Sequence, residues 1–229
     1  MPCCLGITTN KAAANERSHR QPGCLLRAGQ RPRHYTYSKV MAWVALDRFV
    51  ANHERSRSVG HATCARLSAL RDRIREEVFR EAWNDGLNSF VQYYGGQTID
   101  ASLLLLPAVG FISASDPKMA STTGRIEREL SEGGLVRRTQ STHGGPHEGA
   151  FLACACWLAD CLHLQGRHAE ARAQFERVLS TANDLGLLAE EYNVPGRHLS
   201  GNFPQALTHL AVVNTALRLG GPAIAQGAI

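Results

Sequence analysis

Three glutamates stand where a carboxylate could do acid–base work. Glu190 and Glu191 come directly after the apolar run Leu185-Gly186-Leu187-Leu188-Ala189 and directly before Tyr192. Acids in that setting belong either to a solvated loop or to a cleft wall, where burial tunes their pKa; spacing leaves both readings open. Glu148 follows Gly144-Gly145-Pro146-His147, at the point where a glycine-rich loop enters an apolar segment. A helix N-terminus stabilises an acid there whether or not it has a chemical role. Tyr35, Tyr37, Trp43, Tyr93, Tyr94, Tyr192 and Phe203 collect beside the same loop ends. Sugar rings stack their apolar faces on such side chains while acids and amides take the hydroxyls. For Trp43 and Phe203, periodicity favours ordinary core packing.

Other chemistries find little support. There is no CxxC pair, no HExxH, no Walker loop, no strand-borne GxGxxG and no GxSxG, so neither a metal nor a cofactor is expected. Cys154 and Cys156 are two apart on a helix and point to different faces; with Cys161 they read as small core residues. Seven cysteines without framework spacing favour reduced thiols and a cytoplasmic setting. The longest apolar stretch, 103–112, is far short of the roughly 20 residues of a membrane helix, and no secretory signal opens the chain, so no membrane partner is expected.

The net charge of +5 is confined to the head. Lys11, Arg17, Arg20, Arg27, Arg31 and Arg33 face only Glu16 within residues 1–33, which leaves the remainder balanced at 19 basic and 19 acidic residues. The head lacks aromatic interleaving, so nucleic-acid binding is not expected.

The elements that must carry the three glutamates are helical. Thr36 or Ser38 can cap a helix bearing Val40, Trp43, Val44, Leu46 and Val50. A second helix runs from about His61 to Trp83, with Leu67, Leu70, Ile74 and Val78 opposite a charged face. Phe90–Tyr94 is the only stretch that reads as a strand. A buried helix over 101–109 follows, then one opened by Asp116-Pro117 and closed by Gly133-Gly134. An apolar helix over 148–164, a polar one over 168–185 after Gly166, a loop over 190–203 and a last helix over 204–219 complete the chain. Seven helices alternating between apolar and charged describe an all-α αα-hairpin array, with inner helices walling the core and outer ones facing water.

Several segments together resemble the bacterial glucoamylase/trehalase-like glycoside hydrolases. They are the stretch from Arg33-His34-Tyr35 to Leu46-Asp47-Arg48, Tyr94-Gly95-Gly96, the run from Asp100 to Pro107, and Glu148-Gly149-Ala150-Phe151-Leu152. Leu187-Leu188-Ala189-Glu190-Glu191-Tyr192 and Gly201-Asn202-Phe203-Pro204-Gln205-Ala206 complete the set, in the family's order. The resemblance implies an (α/α)6 barrel that hydrolyses an α-glucosidic bond with inversion. That chemistry needs one carboxylic acid on the leaving oxygen and one carboxylate on water, roughly 6.5–9.5 Å apart. It places the general base at Glu190, with Glu191 as second choice, and substrate contacts at Glu148, Phe203, Gln205, Lys39 and Trp43. The implied partner is an α-glucoside or small saccharide.

The departure from the family is as informative. Where the family carries its general acid, just ahead of Pro32-Arg33-His34, this chain reads Leu26-Arg27-Ala28-Gly29-Gln30. Arg27 falls on the acid's position, and a guanidinium cannot donate a proton near neutral pH. Seven helices also cannot close a ring of twelve. The expectation is therefore three segments: an unstructured basic head over 1–33, out of frame or non-native; a partial barrel over 34–220; and a flexible tail over 221–229. Little or no turnover by the chain alone is expected, with self-association through exposed half-barrel edges. The competing reading is a tetratricopeptide-like binding or assembly module, suggested by the segment from Trp157 to Phe175, although no second copy of that unit recurs at about 34 residues.

Overall fold

The computed structural model describes residues 32–56, 60–140 and 148–221. The expectations for the head, apart from its last two residues, and for the tail beyond residue 221 lie outside the described residues. Among those described, seven α-helices alternate with very short strands: α1 (Thr36–Ser56), α2 (His61–Glu81), α3 (Leu105–Ala108), α4 (Pro117–Leu130), α5 (Leu152–Leu164), α6 (His168–Leu179) and α7 (Ala206–Gly220). The fold is all-α, an array of αα-hairpins, as the periodicity requires.

Packing sorts the helices into two layers. α5 touches α3, α6 and α7, while α1 packs on α2 and reaches the 3-10 turn Ala101–Leu104 that leads into α3. α1, α3, α5 and α7 also line one cavity of about 310 Å³ through Val44, Arg48, Leu105, Val109, Trp157, Asp160, Asn214 and Arg218. These four are the inner helices. The outer α2 and α6 carry the charged faces that water requires.

α5 is buried on almost every side, with Leu152, Ala153, Cys154, Ala155, Cys156, Leu158, Ala159, Asp160, Cys161 and Leu162 all enclosed. Its three cysteines are core residues, as expected. Burial pushes the Cys161 thiol up to about 11 and the Cys156 thiol up to about 12, so neither is a nucleophile at neutral pH. A second cluster is aromatic. Trp43 meets Phe111 edge-on at 5.2 Å between centroids, Phe79 stacks on Phe111 at 5.5 Å, and Arg75 lies over all three rings while donating to the Phe111 carbonyl.

Local boundaries depart from the sequence expectations where side chains or strand pairing override periodicity. Thr36 is no cap; it is buried, and its hydroxyl donates to the Val91 carbonyl at 2.5 Å. The segment 101–109 divides into the 3-10 turn and the single turn α3. Asp116 and Pro117 open α4 as expected, Asp116 Oδ1 accepting from Lys118 N at 2.8 Å. α4 stops at Leu130, because Gly133 and Gly134, both at positive φ, turn a hairpin of β3 (Ser131–Glu132) with β4 (Leu135–Val136). α6 ends at Leu179 rather than 185, since Asn183 Oδ1 accepts from Leu185 N and Leu187 N and folds the chain into a turn.

Of the single strand expected over 90–94 only Phe90 lies in a strand, and the described residues hold seven short ones. β1 (Trp83–Asn84) pairs with β2 (Ser89–Phe90), and β5 (Ala150–Phe151), β6 (Glu191–Asn193) and β7 (His198–Ser200) form a three-stranded antiparallel sheet. α5 therefore begins at Leu152, because Ala150–Phe151 are taken into that sheet.

Among the described residues Asp160 on α5 is the one buried acid. Its Oδ1 stands 3.5 Å from Arg218 Nε, and neither atom has a hydrogen-bond partner. Burial raises its carboxyl to about 6, with Arg218 and Thr215 opposing. The native state thus holds this proton to about pH 6, whereas the unfolded chain releases it near 3.8. The resulting stability is full below about pH 4 and is lost as pH rises through 6. Asp160→Asn is expected to flatten this limb of the stability–pH curve and to raise stability at pH 7 by up to about 3 kcal/mol, measured by denaturant unfolding across pH 3–8.

Candidate active site

The loops that enter the inner helices are tied to one another through their backbones. Thr36 N donates to Gln92 O at 2.9 Å, Tyr94 N to His34 O at 3.0 Å, Ala101 N to Arg138 O at 2.9 Å, Leu152 N to Glu190 O at 3.1 Å and Gln205 N to Leu188 O at 2.9 Å. The candidate residues sit on these loops or at the first turns they lead into.

The sheet β5–β6–β7 brings three carboxylates together at the start of α5. Phe151 pairs with Glu191, and Glu191 with Ser200. Glu190 stands just before β6 and Glu191 opens it, and their carboxylates take different partners. Glu190 turns toward the loop after β7, where its Oε2 accepts from Asn202 Nδ2 at 2.9 Å and from Asn202 N at 3.2 Å. Glu190 N donates back to Asn202 O at 2.9 Å. Gly201 fits this crossing because it adopts φ +73°, and a Cβ there would stand 3.0 Å from Glu190 Cβ.

Glu191 turns toward β5 and accepts from Gly149 N at 3.0 Å through Oε2. Burial raises its carboxyl above the usual range; the Glu148 and Glu190 carboxylates add to that, and the Gly149 amide and Arg138 oppose it. Glu148, expected at a helix N-terminus, lies instead in extended chain just before β5. It is held by an ion pair with Arg138 Nη2 at 2.5 Å, and the Arg138 guanidinium lies 5.9 Å from the centre of the Phe151 ring.

The remaining candidates occupy different surroundings. Phe203 is about half exposed beside Asn202. The Gln205 side chain caps α7, accepting from Leu207 N at 3.4 Å. Lys39 on α1 is paired with Glu77 at 3.0 Å and lies 5.6 Å from the Tyr94 ring. Trp43 is packed in the aromatic core against Phe111. Tyr35 and Tyr93 meet edge-on at 6.0 Å, and Arg33 lies over Tyr93 at 4.1 Å. The sheet thus gathers Glu148, Glu190 and Glu191, while Lys39 and Trp43 belong to the α1–α2 side. Sequence reasoning missed Arg138 and Asn202, which hold two of the glutamates. Asn202 carried a signal, since it stands inside the Gly201–Ala206 segment; Arg138 carried none.

With this geometry in view, residues 29–217 match the family described as Glycosyl hydrolases family 15. The chain belongs to that family. A trehalase of Thermoplasma volcanium is 41% identical over 191 residues, covering 82% of this chain and 30% of the relative. A glycosidase solved in complex with glucose superposes with a TM-score of 0.68 at 22% identity, over 82% of this chain and 52% of that one. A bacterial glucoamylase solved with acarbose gives 0.70 at 13% identity, over 81% and 33%. The family 15 chain described here therefore spans less than a third of the trehalase's length. The two solved structures establish the shared fold, a partial (α/α) barrel of the glucoamylase type. Among the described residues no helix is long and apolar enough to cross a membrane.

The sheet has one contact that cannot relax cheaply. A Cβ on Gly149 would meet Tyr192 O at 2.8 Å, which is strand backbone. Gly149→Ala is expected to force β5 off β6 and to destabilise the chain by about 1–3 kcal/mol, read as a lower thermal midpoint.

Proposed function

We propose that residues 34–220 are part of the catalytic domain of an inverting hydrolase of α-glucosidic bonds, acting on trehalose or an α-glucan, and that this chain alone turns over little or nothing. The observation that carries the reading is Glu190, fixed by two bonds from Asn202 on a sheet edge at the N-terminus of an inner helix, in a family 15 chain 41% identical to a trehalase. Complexes of fold neighbours with glucose and acarbose support a saccharide as the ligand class.

In this reading Glu190 takes a proton from water as that water attacks the anomeric carbon, and the bond from that carbon to the glycosidic oxygen breaks. The leaving oxygen must collect a proton from an acid on the other side of the sugar. Arg27 at the matching position cannot give one. Glu148 and Phe203 supply a hydroxyl acceptor and an apolar face beside Glu190. Gln205 holds the start of α7 beside Phe203, while Lys39 and Trp43 are the substrate contacts proposed on the α1–α2 side. Glu191, bonded to the Gly149 amide, is the positioning neighbour and the second choice for base. We place the protein in the cytoplasm on its cysteine usage.

The test separates the chain from its site. The purified chain should release no glucose from trehalose or maltose above background. Residues 34–220 exchanged for the matching segment of the T. volcanium trehalase should give an active chimera, and Glu190→Gln in that chimera should lower kcat by about 10²–10⁴-fold. A folded but inactive chimera would sink the catalytic reading. Loss of activity in Glu191→Gln with Glu190→Gln unaffected would move the base by one residue.

The reading also includes self-association. Leu207, Leu210, Val213 and Leu217 of α7 are 45–63% exposed and share one stripe. Size-exclusion chromatography is expected to give a dimer or larger species, and a clean monomer at micromolar concentration contradicts it.

A further inference from the structure

The turn between α5 and α6 holds two imidazoles in an arrangement that the saccharide site does not use. His163 ends α5 and His168 begins α6; their Nδ1 atoms are 3.1 Å apart and their ring centroids 4.7 Å apart. Two ring nitrogens that each bind a metal at roughly 2.0–2.1 Å with this separation subtend about 95–100° at the ion, between octahedral and tetrahedral values. Without an ion, one Nδ1–H donates to the other Nδ1, and the same spacing serves.

The turn is braced against other arrangements. Gly166 adopts φ +79°, Gly166 N donates to His163 O at 2.9 Å, and Arg167 N donates to Leu162 O at 3.0 Å. The Arg167 guanidinium then bridges Glu127, at 2.9 and 3.0 Å, and Glu170, at 2.6 and 2.7 Å. The backbone between the two histidines is therefore fixed before any ligand arrives. In front of the rings lies a cavity of about 410 Å³, lined also by Arg172, Leu219 and Gly221, with room for waters to complete a coordination shell.

We propose that His163 and His168 form a two-imidazole clamp for a divalent transition-metal ion of the Ni²⁺, Cu²⁺ or Zn²⁺ class, bound through both Nδ1 atoms across the α5–α6 turn. Imidazole nitrogen suits these ions and not Mg²⁺ or Ca²⁺. Binding needs both rings as Nε2–H tautomers, so the shared Nδ1 proton leaves as solvent protonates Nε2 of the same ring and neutral rings release no net proton; uptake weakens in acid because a protonated imidazole has no lone pair to give. Among the described residues no third His, Cys, Asp or Glu completes the site. Arg172 lines the cavity and Arg218 acts on His163, and both repel a cation there, so the affinity lies well below that of a structural zinc site. The clamp is independent of the hydrolase reading, since none of its residues touches the carboxylate sheet.

The test is calorimetric titration of the purified full chain with NiCl₂ and with ZnCl₂, alongside His168→Asn, His163→Asn and, as a control, His198→Asn. The wild type and H198N should bind one more equivalent than H168N or H163N, whose affinity at this site should fall about a hundredfold as the chelate is lost. Zinc should also move the Nδ1 resonances of His163 and His168 together in the ¹⁵N imidazole spectrum of the wild type, a readout that needs no variant to fold. Identical titrations of wild type and H168N, or zinc shifts confined to other histidines, would overturn the clamp.

Discussion

The burial of α5 is the constraint from which the rest of the molecule follows. A helix with apolar side chains nearly all round has no face to give to water, so every neighbour is obliged to cover it. α3, α6 and α7 do so laterally, and β4 and β5 close its start. Covering it fixes the spacing of the inner layer, and the inner layer fixes which loops meet. Even the cysteines take part: the small thiols of Cys154, Cys156 and Cys161 let neighbouring helices approach closely, and their burial removes their reactivity.

The second consequence falls on the loops. Helix starts leave backbone amides without partners, and buried ones must find them. Here they find the preceding segments of their neighbours, as in the bond from Leu152 N to Glu190 O. Loops that would otherwise be mobile are thereby mounted on the rigid inner layer, and the side chains they carry inherit that rigidity. Glu190 is positioned twice over, by backbone hydrogen bonds to Leu152 and Asn202 and by the Asn202 side chain. Glu148 and Glu191 are each held by a different group, Arg138 and the Gly149 amide. Three carboxylates share a small region, each hydrogen-bonded to a different group, and the charges of Glu148, Glu190 and Arg138 all act on Glu191.

The inner layer is not covered equally on all sides. α5 is enclosed, whereas α7 leaves a line of leucine and valine side chains in water, and the four inner helices surround a cavity rather than a filled core. Within it Asp160 and Arg218 stand too far apart for a good hydrogen bond, so their attraction does not repay the loss of water around the carboxylate. The solved structures that share this fold are longer chains, of which the present one matches a part.

Much of this was legible in the sequence because helices advertise themselves over long windows. The stripes of α1 and α2, the apolar run of α5 and the Asp116-Pro117 start of α4 each rest on residues at fixed spacing, and the segment set around Glu148, Glu190 and Gly201-Asn202 marked the family. Two-residue strands have no period to read, so the pairing of Ala150–Phe151 with Glu191–Asn193, and with it the late start of α5, was decided only by tertiary contact. The same holds for partners distant in sequence: Arg138 reaching Glu148, Trp43 turned into the rings of Phe79 and Phe111, and His163 brought against His168 by the turn at Gly166. Sequence determines which segments must hide from water and at what spacing. Only the assembled layers decide which polar atoms are left facing one another, because that depends on the packing of chains that local pattern does not record.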